Sequence, residues 1–343
     1  MRRSIGAMAR ASLDSSRSKP TLRRRRLLAA GIAAPALALT GALRAQARPL
    51  RLVVPFAAGG PADTMGRAAA AAYAQHTGAQ TIVENRPGAG GNIAAAYVAG
   101  SAPDGGTVLL AGQGVLAINK ALYSNLSYDP ERDFDWIAML GVAANVLLVN
   151  PSVIPGPGMA QFIEQARAKP QGISYGSNGV GSLSHLTTEV LARAAGVSFL
   201  HVPYQGAAPQ RADLLGGRIG FSFIATSTSV PLVREGRLRA LAVSTASRVP
   251  ALPEVPTLVE SGFPMLDAPT WFGVVAPSAT PVGVLNELRA GFRAALGSRA
   301  YAGEMEKQAS VTSAMTLEEA RAMLVRERKL WTDAVRASGA TAS

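Results

Sequence analysis

The 343-residue chain has no cysteine, three histidines (His76, His185 and His201) and few aromatics, at 6%. Without cysteine there can be no disulfide, thiolate zinc site, iron–sulfur cluster or cysteine nucleophile. Three separated histidines make a multi-histidine metal site improbable, so neither a metal nor a cofactor is expected. The phosphate loop G-x-x-x-x-G-K-[ST], H-E-x-x-H and the EF-hand pattern are all missing. Gly176-Ser177-Asn178-Gly179 is one residue short of the G-x-S-x-G elbow. Charged residues are scarce at 16% against 48% hydrophobic, so the chain can bury a core and is not disordered. The 35 glycines and 22 prolines follow no period, which excludes collagen and points to many loops.

The formal charge of +12 suggests nucleic acid until its position is considered. Residues 1–47 carry ten Lys/Arg and only Asp14 as an acid, leaving 24 bases and 21 acids in the remainder. The excess therefore belongs to the beginning of the chain, and no nucleic-acid partner is expected. Arg23 to Arg26 run into an apolar stretch from Leu27 to Leu43, followed by Ala45-Gln46-Ala47. A basic segment, an apolar segment and a small-x-small site form a secretory signal, with cleavage expected after Ala47. The competing reading is a membrane anchor, but the stretch is Ala/Gly-rich, contains Pro35 and falls short of the ~20 strongly apolar residues a span prefers. Arg24-Arg25 fits a twin-arginine signal and an ordinary Sec signal equally, and Met8 is an alternative start. The expected product is a soluble exported protein, placed in the periplasm.

From residue 48 onward, short apolar runs alternate with helical patterns. Leu50–Pro55, Gln80–Glu84 and Thr107–Ala111 read as strands, separated by helices over Ala62–His76 and Asn92–Ala99. This order predicts a mainly parallel α/β sheet covered by helices. The pattern restarts after Asp129-Pro130 with strands at Asn145–Asn150, Ile173–Ser177, Leu200–Tyr204, Ile219–Ile224 and Leu238–Val243. Helices over Met159–Ala168, Ser182–Ala195, Pro209–Leu215 and Val230–Glu235 lie between them. A Pro-rich stretch, Val249–Pro256, precedes a strand over Thr270–Ala276 and helices over Val282–Leu296, Ala300–Gln308 and Leu317–Ala337. Two lobes are expected, one of residues 48–145 plus 266–343 and one of 146–265, behind a signal peptide of residues 1–47.

Small, polar or Gly-rich loops close the predicted strands: Pro55–Thr64, Asn85–Asn92, Gly112–Gly114, Gly176–Ser182 and Tyr204–Pro209. Ligands of open α/β sheets bind at strand carboxyl ends. Glycine lets backbone approach a ligand, and a helix that opens there offers free N–H groups and a positive dipole end to an anion. Gly112–Ala117 matches the loose dinucleotide pattern G-x-G-x-x-A, but it is not the first βα turn and reads better as a Gly-rich loop. The side chains admit two readings each. Asp63 is a helix-start partner or a ligand group. His185 is a packed histidine or a donor near ligand. Ser177 and Ser182 cap a helix or donate to ligand. Arg86 pairs with ligand or is a surface loop charge. Trp271 and Phe272 read as core or hinge packing.

Several blocks carry a resemblance. Val54–Arg67 (VPFAAGGPADTMGR), Glu84–Ala99 (ENRPGAGGNIAAAYVA), Pro103–Ala111, Tyr128–Phe134, Tyr175–Leu186 (YGSNGVGSLSHL), Val202–Pro209 (VPYQGAAP), Val255–Pro264 and Trp271–Pro281 occur in one order. Together they resemble the tripartite tricarboxylate transporter substrate-binding receptors, or Bug proteins, over roughly residues 48–338. The resemblance implies a two-lobed, type II-like periplasmic binding protein, a monomer without catalysis, that takes a small organic anion into its interlobe cleft and delivers it to membrane permease subunits. It places Ala58, Gly59, Gly60, Asp63 and Thr64 around one carboxylate, with Asn92 in the second matching loop. From the other lobe it implies Ser177, Asn178, Gly181, Ser182 and His185, with Ala207, Ala208 and Pro209 at the next helix start. Gln113 stands where smaller hydroxyl side chains are expected, and would alter ligand size or orientation. The alternative is a secreted α/β hydrolase or isomerase acting on a carboxylate, which would need Ser182 and His185 to pair, as i, i+3 neighbours on a helix allow.

Overall fold

The computed structural model describes residues 49–313 and 315–342. The expected signal peptide lies outside the described residues. Among the described residues, eleven strands form two sheets. The first has the order β11-β4-β10-β3-β1-β2, from β1 (Leu50–Val54), β2 (Thr81–Asn85), β3 (Thr107–Gly112), β4 (Phe134–Ala143), β10 (Thr270–Pro277) and β11 (Ser310–Thr312). The second has the order β7-β6-β8-β5-β9, from β5 (Asn145–Val149), β6 (Ile173–Ser177), β7 (Phe199–Pro203), β8 (Phe221–Ala225) and β9 (Arg239–Val243).

The βαβ units behave as their alternation predicts. β1 pairs parallel with β2 and β3, and β6 pairs parallel with β7 and β8. The expectation of mainly parallel sheets is corrected by β4, β5 and β10. β10 runs antiparallel to both β3 and β4, and β5 antiparallel to both β8 and β9. The reason is connectivity: β4 leaves the first sheet and, after Ala144 alone, becomes β5 of the second. β10 is the return strand, which re-enters the first sheet from the second and lies between β3 and β4.

The two passages between the sheets are tied together. Asn145 Nδ2 donates to Thr270 Oγ1 at 2.9 Å, and Asn145 N–H to Ser244 Oγ at 3.0 Å. Thr226 donates its N–H and its hydroxyl to the Ala144 carbonyl. Trp271 is fully buried beside Trp136, with ring centroids 5.7 Å apart, so the core-packing reading of this position holds.

Helices position the strand ends. α1 (Pro61–Thr77) follows β1, α2 (Asn92–Ala99) follows β2, and a π-turn over Gly114–Ile118 leads into α3 (Asn119–Leu122) after β3. In the second half, α4 (Met159–Arg167) precedes β6, α5 (Leu183–Ala195) follows β6, α6 (Ala207–Leu215) follows β7 and α7 (Thr226–Arg234) follows β8. The sequence places the start of α7 at Val230, because Pro231 lies inside the observed helix. α8 (Val282–Leu296), α9 (Arg299–Lys307) and α10 (Leu317–Ser338) complete the chain. The long α10 opens with a capping box between Thr316 and Glu319. One apolar cluster contains Leu324, Trp331 and Val335 of α10 with Leu116, Ile118 and Leu122 of the first half and Leu186 of α5. The terminal helix therefore packs against both halves.

Candidate functional site

The first group of loops meets at the carboxyl ends of β1, β2 and β3. Gly59 has φ +84° and Gly60, the N-cap of α1, has φ −82°. Only Gly59 thus occupies the region that favours glycine. Asp63 is buried and faces back into the loop. Its Oδ2 accepts the Gly59 N–H at 2.8 Å and Arg67 Nε at 3.0 Å. Its Oδ1 accepts Asn85 Nδ2 at 2.8 Å and pairs with the Arg67 guanidinium at 3.0 Å. Burial opposes the charge of Asp63, but the hydrogen bonds from Arg67, Gly59 and Asn85 outweigh it and hold the carboxyl below its ordinary range. Asn85 also donates to the Phe56 carbonyl, locking the first loop to the second. Thr64 returns its hydroxyl to the Gly60 carbonyl at 3.0 Å. Ala58 is exposed.

Asn92 opens α2, and its Oδ1 accepts Asn119 Nδ2 at 2.6 Å and the Tyr128 hydroxyl at 2.9 Å. Asn119 also donates to the Gly90 carbonyl, so Asn119 and Tyr128 join the second and third loops. Gln113 is buried with both ends of its amide engaged: Nε2 donates to the Pro269 carbonyl, and Oε1 accepts the Trp271 N–H at 3.2 Å. It fastens the third loop to the start of β10. At Gly112 an added Cβ would lie 2.8 Å from the Trp271 carbonyl oxygen, so packing against β10 demands this glycine. Arg86 donates to Glu84 Oε1 at 2.5 Å and lies 3.6 Å over the Tyr97 ring. Arg67 and Arg86 are thus already paired with Asp63 and Glu84.

The second group gathers at the carboxyl ends of β6 and β7. Ser182 caps α5: its Oγ donates to the Gly179 carbonyl at 2.7 Å and accepts the His185 N–H. His185 is buried, and its Nδ1 accepts the Gly181 N–H at 3.0 Å. Gly181 has φ +74°, and an added Cβ would fall 2.2 Å from Leu122 Cδ2. This point brings the loops of the two halves against each other. Asn178 is exposed and donates its N–H to Ser184 Oγ. Ala207, Ala208 and Pro209 are exposed at the opening of α6, after Gly206 with φ +101°. Gln210, one residue further, reaches from α6 to the Gly176 carbonyl at 3.0 Å.

Beneath this loop lies a polar cluster that sequence reasoning missed. Ser177 Oγ sits 2.6 Å from His201 Nε2. The His185 and His201 rings stack with centroids 4.0 Å apart, and His201 stacks in turn on Tyr175. Tyr175 donates its hydroxyl to Glu189 at 2.7 Å. Burial pushes both histidines down to about 4, so they are neutral at neutral pH. The available signal was the presence of His185 and His201 in a chain with only one other histidine.

The hydrolase reading fails on this geometry. Ser182 and His185 meet through a backbone N–H, while the ring is engaged with Gly181. The close Ser177–His201 pair is no substitute, because Ser177 is fully buried. Among the described residues no group of three or more His, Cys, Asp or Glu is placed to hold an ion. What the loops offer is helix-opening amides on both sides of a strand crossing.

Two α/β sheets joined by crossing strands, with glycine loops opening helices at the strand ends, define a periplasmic solute-binding protein. Comparison with known proteins narrows this: residues 65–336 match the tripartite tricarboxylate transporter family receptor, and the chain belongs to that family. It is 34% identical to Protein BugT of Bordetella pertussis over 312 residues, 91% of this chain and 94% of the relative. Among solved structures it superposes on Rhodopseudomonas palustris Rpa4515 with adipate at TM-score 0.74 and 34% identity, covering 86% of this chain and 98% of that one. MatC (Rpa3494) of the same organism, with bound malate, gives TM-score 0.71 and 30% identity over 84% of this chain and 99% of that one. This is a family of periplasmic receptors rather than enzymes. No helix among the described residues is long and apolar enough to cross a membrane.

Proposed function

We propose that the chain is an extracytoplasmic receptor for a small organic carboxylate, bound between two lobes and delivered to the permease subunits of a tripartite tricarboxylate-type transporter. The lobes are residues 48–145 plus 266–343 and residues 146–265, and the protein acts as a monomer exported by a cleavable signal, Sec or twin-arginine, ending at Ala47. The observation that carries the reading is the pair of helix starts after Gly59-Gly60 and Gly181-Ser182, which present backbone amides while nearby Arg67 and Arg86 are neutralised. The site residues are Ala58, Gly59, Gly60, Asp63 and Thr64 from one lobe and Ser177, Asn178, Gly181, Ser182 and His185 from the other, with Asn92, Gln113 and Ala207–Pro209 around them. Helix N-terminal amides favour anions. The adipate and malate in the two relatives above make dicarboxylates the first class to test. Thermal unfolding of the purified protein against aliphatic mono- and dicarboxylates, adipate and malate included, should reveal acids that raise the midpoint progressively with their concentration. A flat response to every acid, with stabilisation by amines or neutral sugars, would overturn the reading. N-terminal sequencing of the periplasmic form checks the cleavage site.

A further inference from the structure

The two loops contain the same device built from different chemistry. In each, a glycine with positive φ precedes the N-cap: Gly59 at φ +84° and Gly181 at φ +74°. In each, the N–H of that glycine is accepted by the side chain four residues on, in the first turn of the helix. Gly59 donates to Asp63 Oδ2 at 2.8 Å, and Gly181 to His185 Nδ1 at 3.0 Å. Both accepting side chains are buried. A left-handed glycine can turn its peptide either way at little cost. Pinning its N–H to the helix side chain selects one direction and sets the angle at which the chain enters the helix.

The consequence lies in the amides that follow. The first turn of a helix leaves its N–H groups without helix partners. In α1 the Thr64 N–H already bonds the Gly60 carbonyl, which leaves Ala62 and Asp63. In α5 the His185 N–H bonds Ser182 Oγ and the Leu186 N–H bonds the Ser182 carbonyl, which leaves Leu183 and Ser184. The first turn of each helix thus leaves two adjacent amides.

We propose that Asp63 and His185 are matched positioning residues, which act on the ligand only through the glycine amide each one holds and thereby aim the helix-opening amides of the two halves. The inference rests on the receptor reading for what those amides bind, but not for the device itself. It assigns His185 a definite tautomer. Nδ1 accepts, so the neutral ring carries its hydrogen on Nε2, which faces Glu189 Oε1 at 3.9 Å. It assigns Arg67 and Asn85 the task of keeping Asp63 ionised and aimed, and His201 that of holding the His185 ring in place by stacking.

The test is hydrogen exchange of the Gly59 and Gly181 amides, followed by NMR in the ligand-free full chain at neutral pH. Asparagine places its side-chain oxygen where histidine has Nδ1. His185→Asn should therefore keep Gly181 exchange within about threefold of the parent, whereas His185→Phe, which retains the ring stack, should accelerate it about tenfold through loss of one hydrogen bond. Asp63→Ala should likewise release Gly59 protection. Each variant should leave the glycine of the other loop unchanged. If His185→Phe does not fold, His185→Gln serves instead, because its oxygen lies at the wrong reach. Parent-like exchange in the Phe and Ala variants, or Gln rescuing as well as Asn, would overturn the proposal. So would a ring-nitrogen spectrum showing Nδ1–H in the parent. If the amides respond as expected while no organic acid binds, the receptor reading fails and the positioning device stands. The opposite result retains the receptor and removes the device.

Discussion

The loop held by Asp63 and the loop held by His185 solve one geometric problem in opposite surroundings. Around Gly59 there is space: an added Cβ would meet nothing within 4 Å, and the holding group is a carboxylate supported by a guanidinium and an amide. Around Gly181 there is none: Leu122 fills it, and the holding group is a neutral imidazole packed on a second one. An open, charge-held loop leaves room for small movements of its backbone. A sealed, ring-held loop is fixed by packing. The difference shows how one backbone arrangement acquires two stiffnesses.

The sharpest way to break the comparison is a methyl group. Gly181→Ala meets both positive φ and the Leu122 contact, and should destabilise the fold by roughly 2–4 kcal/mol. Gly59→Ala meets only the backbone penalty, roughly 1–2 kcal/mol. Denaturant titration of both variants decides the matter, and equal losses would mean the loops are equally sealed. Gly60, with φ −82°, should tolerate alanine at still lower cost than Gly59, although the sequence treats the two glycines alike.

Acid separates the loops next. His185 is pushed down to about 4, against about 6.5 when unfolded. The unfolded chain therefore binds more protons between these values. Stability contributed by the neutral ring is complete above pH 6.5 and is lost as pH falls toward 4, by a few kcal/mol at most. His185→Phe should reduce that slope, leaving the part that His201 contributes. Asp63 has the same sign in a lower window: its lowered carboxyl stays ionised while His185 titrates, and the stability it contributes is lost as pH falls through the ordinary carboxylate range toward the folded value. Identical pH slopes in parent and His185→Phe between pH 4 and 6.5 would contradict the imidazole assignment.

A third group outside both loops offers a control of opposite sign. Glu327 of α10 is buried, accepts Trp271 Nε1 at 2.9 Å and Trp331 Nε1 at 3.3 Å, and is pushed up to about 7 by burial. Here the folded state holds the extra proton, so stability falls as pH rises from about 4.5 to about 7. Glu327→Gln should remove this fall and raise stability above neutral pH by about 1–2 kcal/mol, measured by thermal unfolding at pH 5 and 8. A variant less stable at pH 8 than at pH 5 relative to the parent would show that the carboxylate form is the favoured one.

The smallest effect is expected at Arg86. Its partners are Glu84 and Tyr97, and it is partly exposed, so Arg86→Ala should change stability by about 0–1 kcal/mol. For a carboxylate that binds the parent, Gly59→Val should cost more affinity than Arg86→Ala, as calorimetric titration would show. The reverse order would mean that the site is built around a cation.

Much of this was readable in the residues because periodicity and glycine placement are local properties. β1, α1, β2, α2 and β6 lie within a residue or two of their sequence-based limits. β4 was missed because Phe134–Ala143 is buried along most of its length and gives no alternation to read. The return of β10 as an antiparallel strand was invisible for a different reason: strand direction depends on which sheet receives the chain, and no local pattern encodes that. At the site, the glycine loops announced themselves, whereas the partners that hold them did not. Asn85, Asn119, Tyr128 and His201 act across 22, 27, 36 and 24 residues of chain on Asp63, Asn92, Asn92 and Ser177. Such pairings exist only once the strands are side by side. Gln113 illustrates the same point, since a side chain that looks available in the sequence spends both ends of its amide on β10.

The unbroken passage from β4 through Ala144 into β5 leaves no slack where the sheets meet. Had a loop stood there, one half would swing like a door on a cord. A hydrogen-bonded strand behaves instead as a torsion rod, and relative rotation is spread as twist over a few peptide units. Thr226, Ser244 and Thr270 clasp that rod by hydrogen bonds to Ala144 and Asn145. Thr226→Val or Ser244→Ala would soften the spring while leaving both glycine loops untouched, and the stroke of the molecule can in this way be tuned separately from its grip.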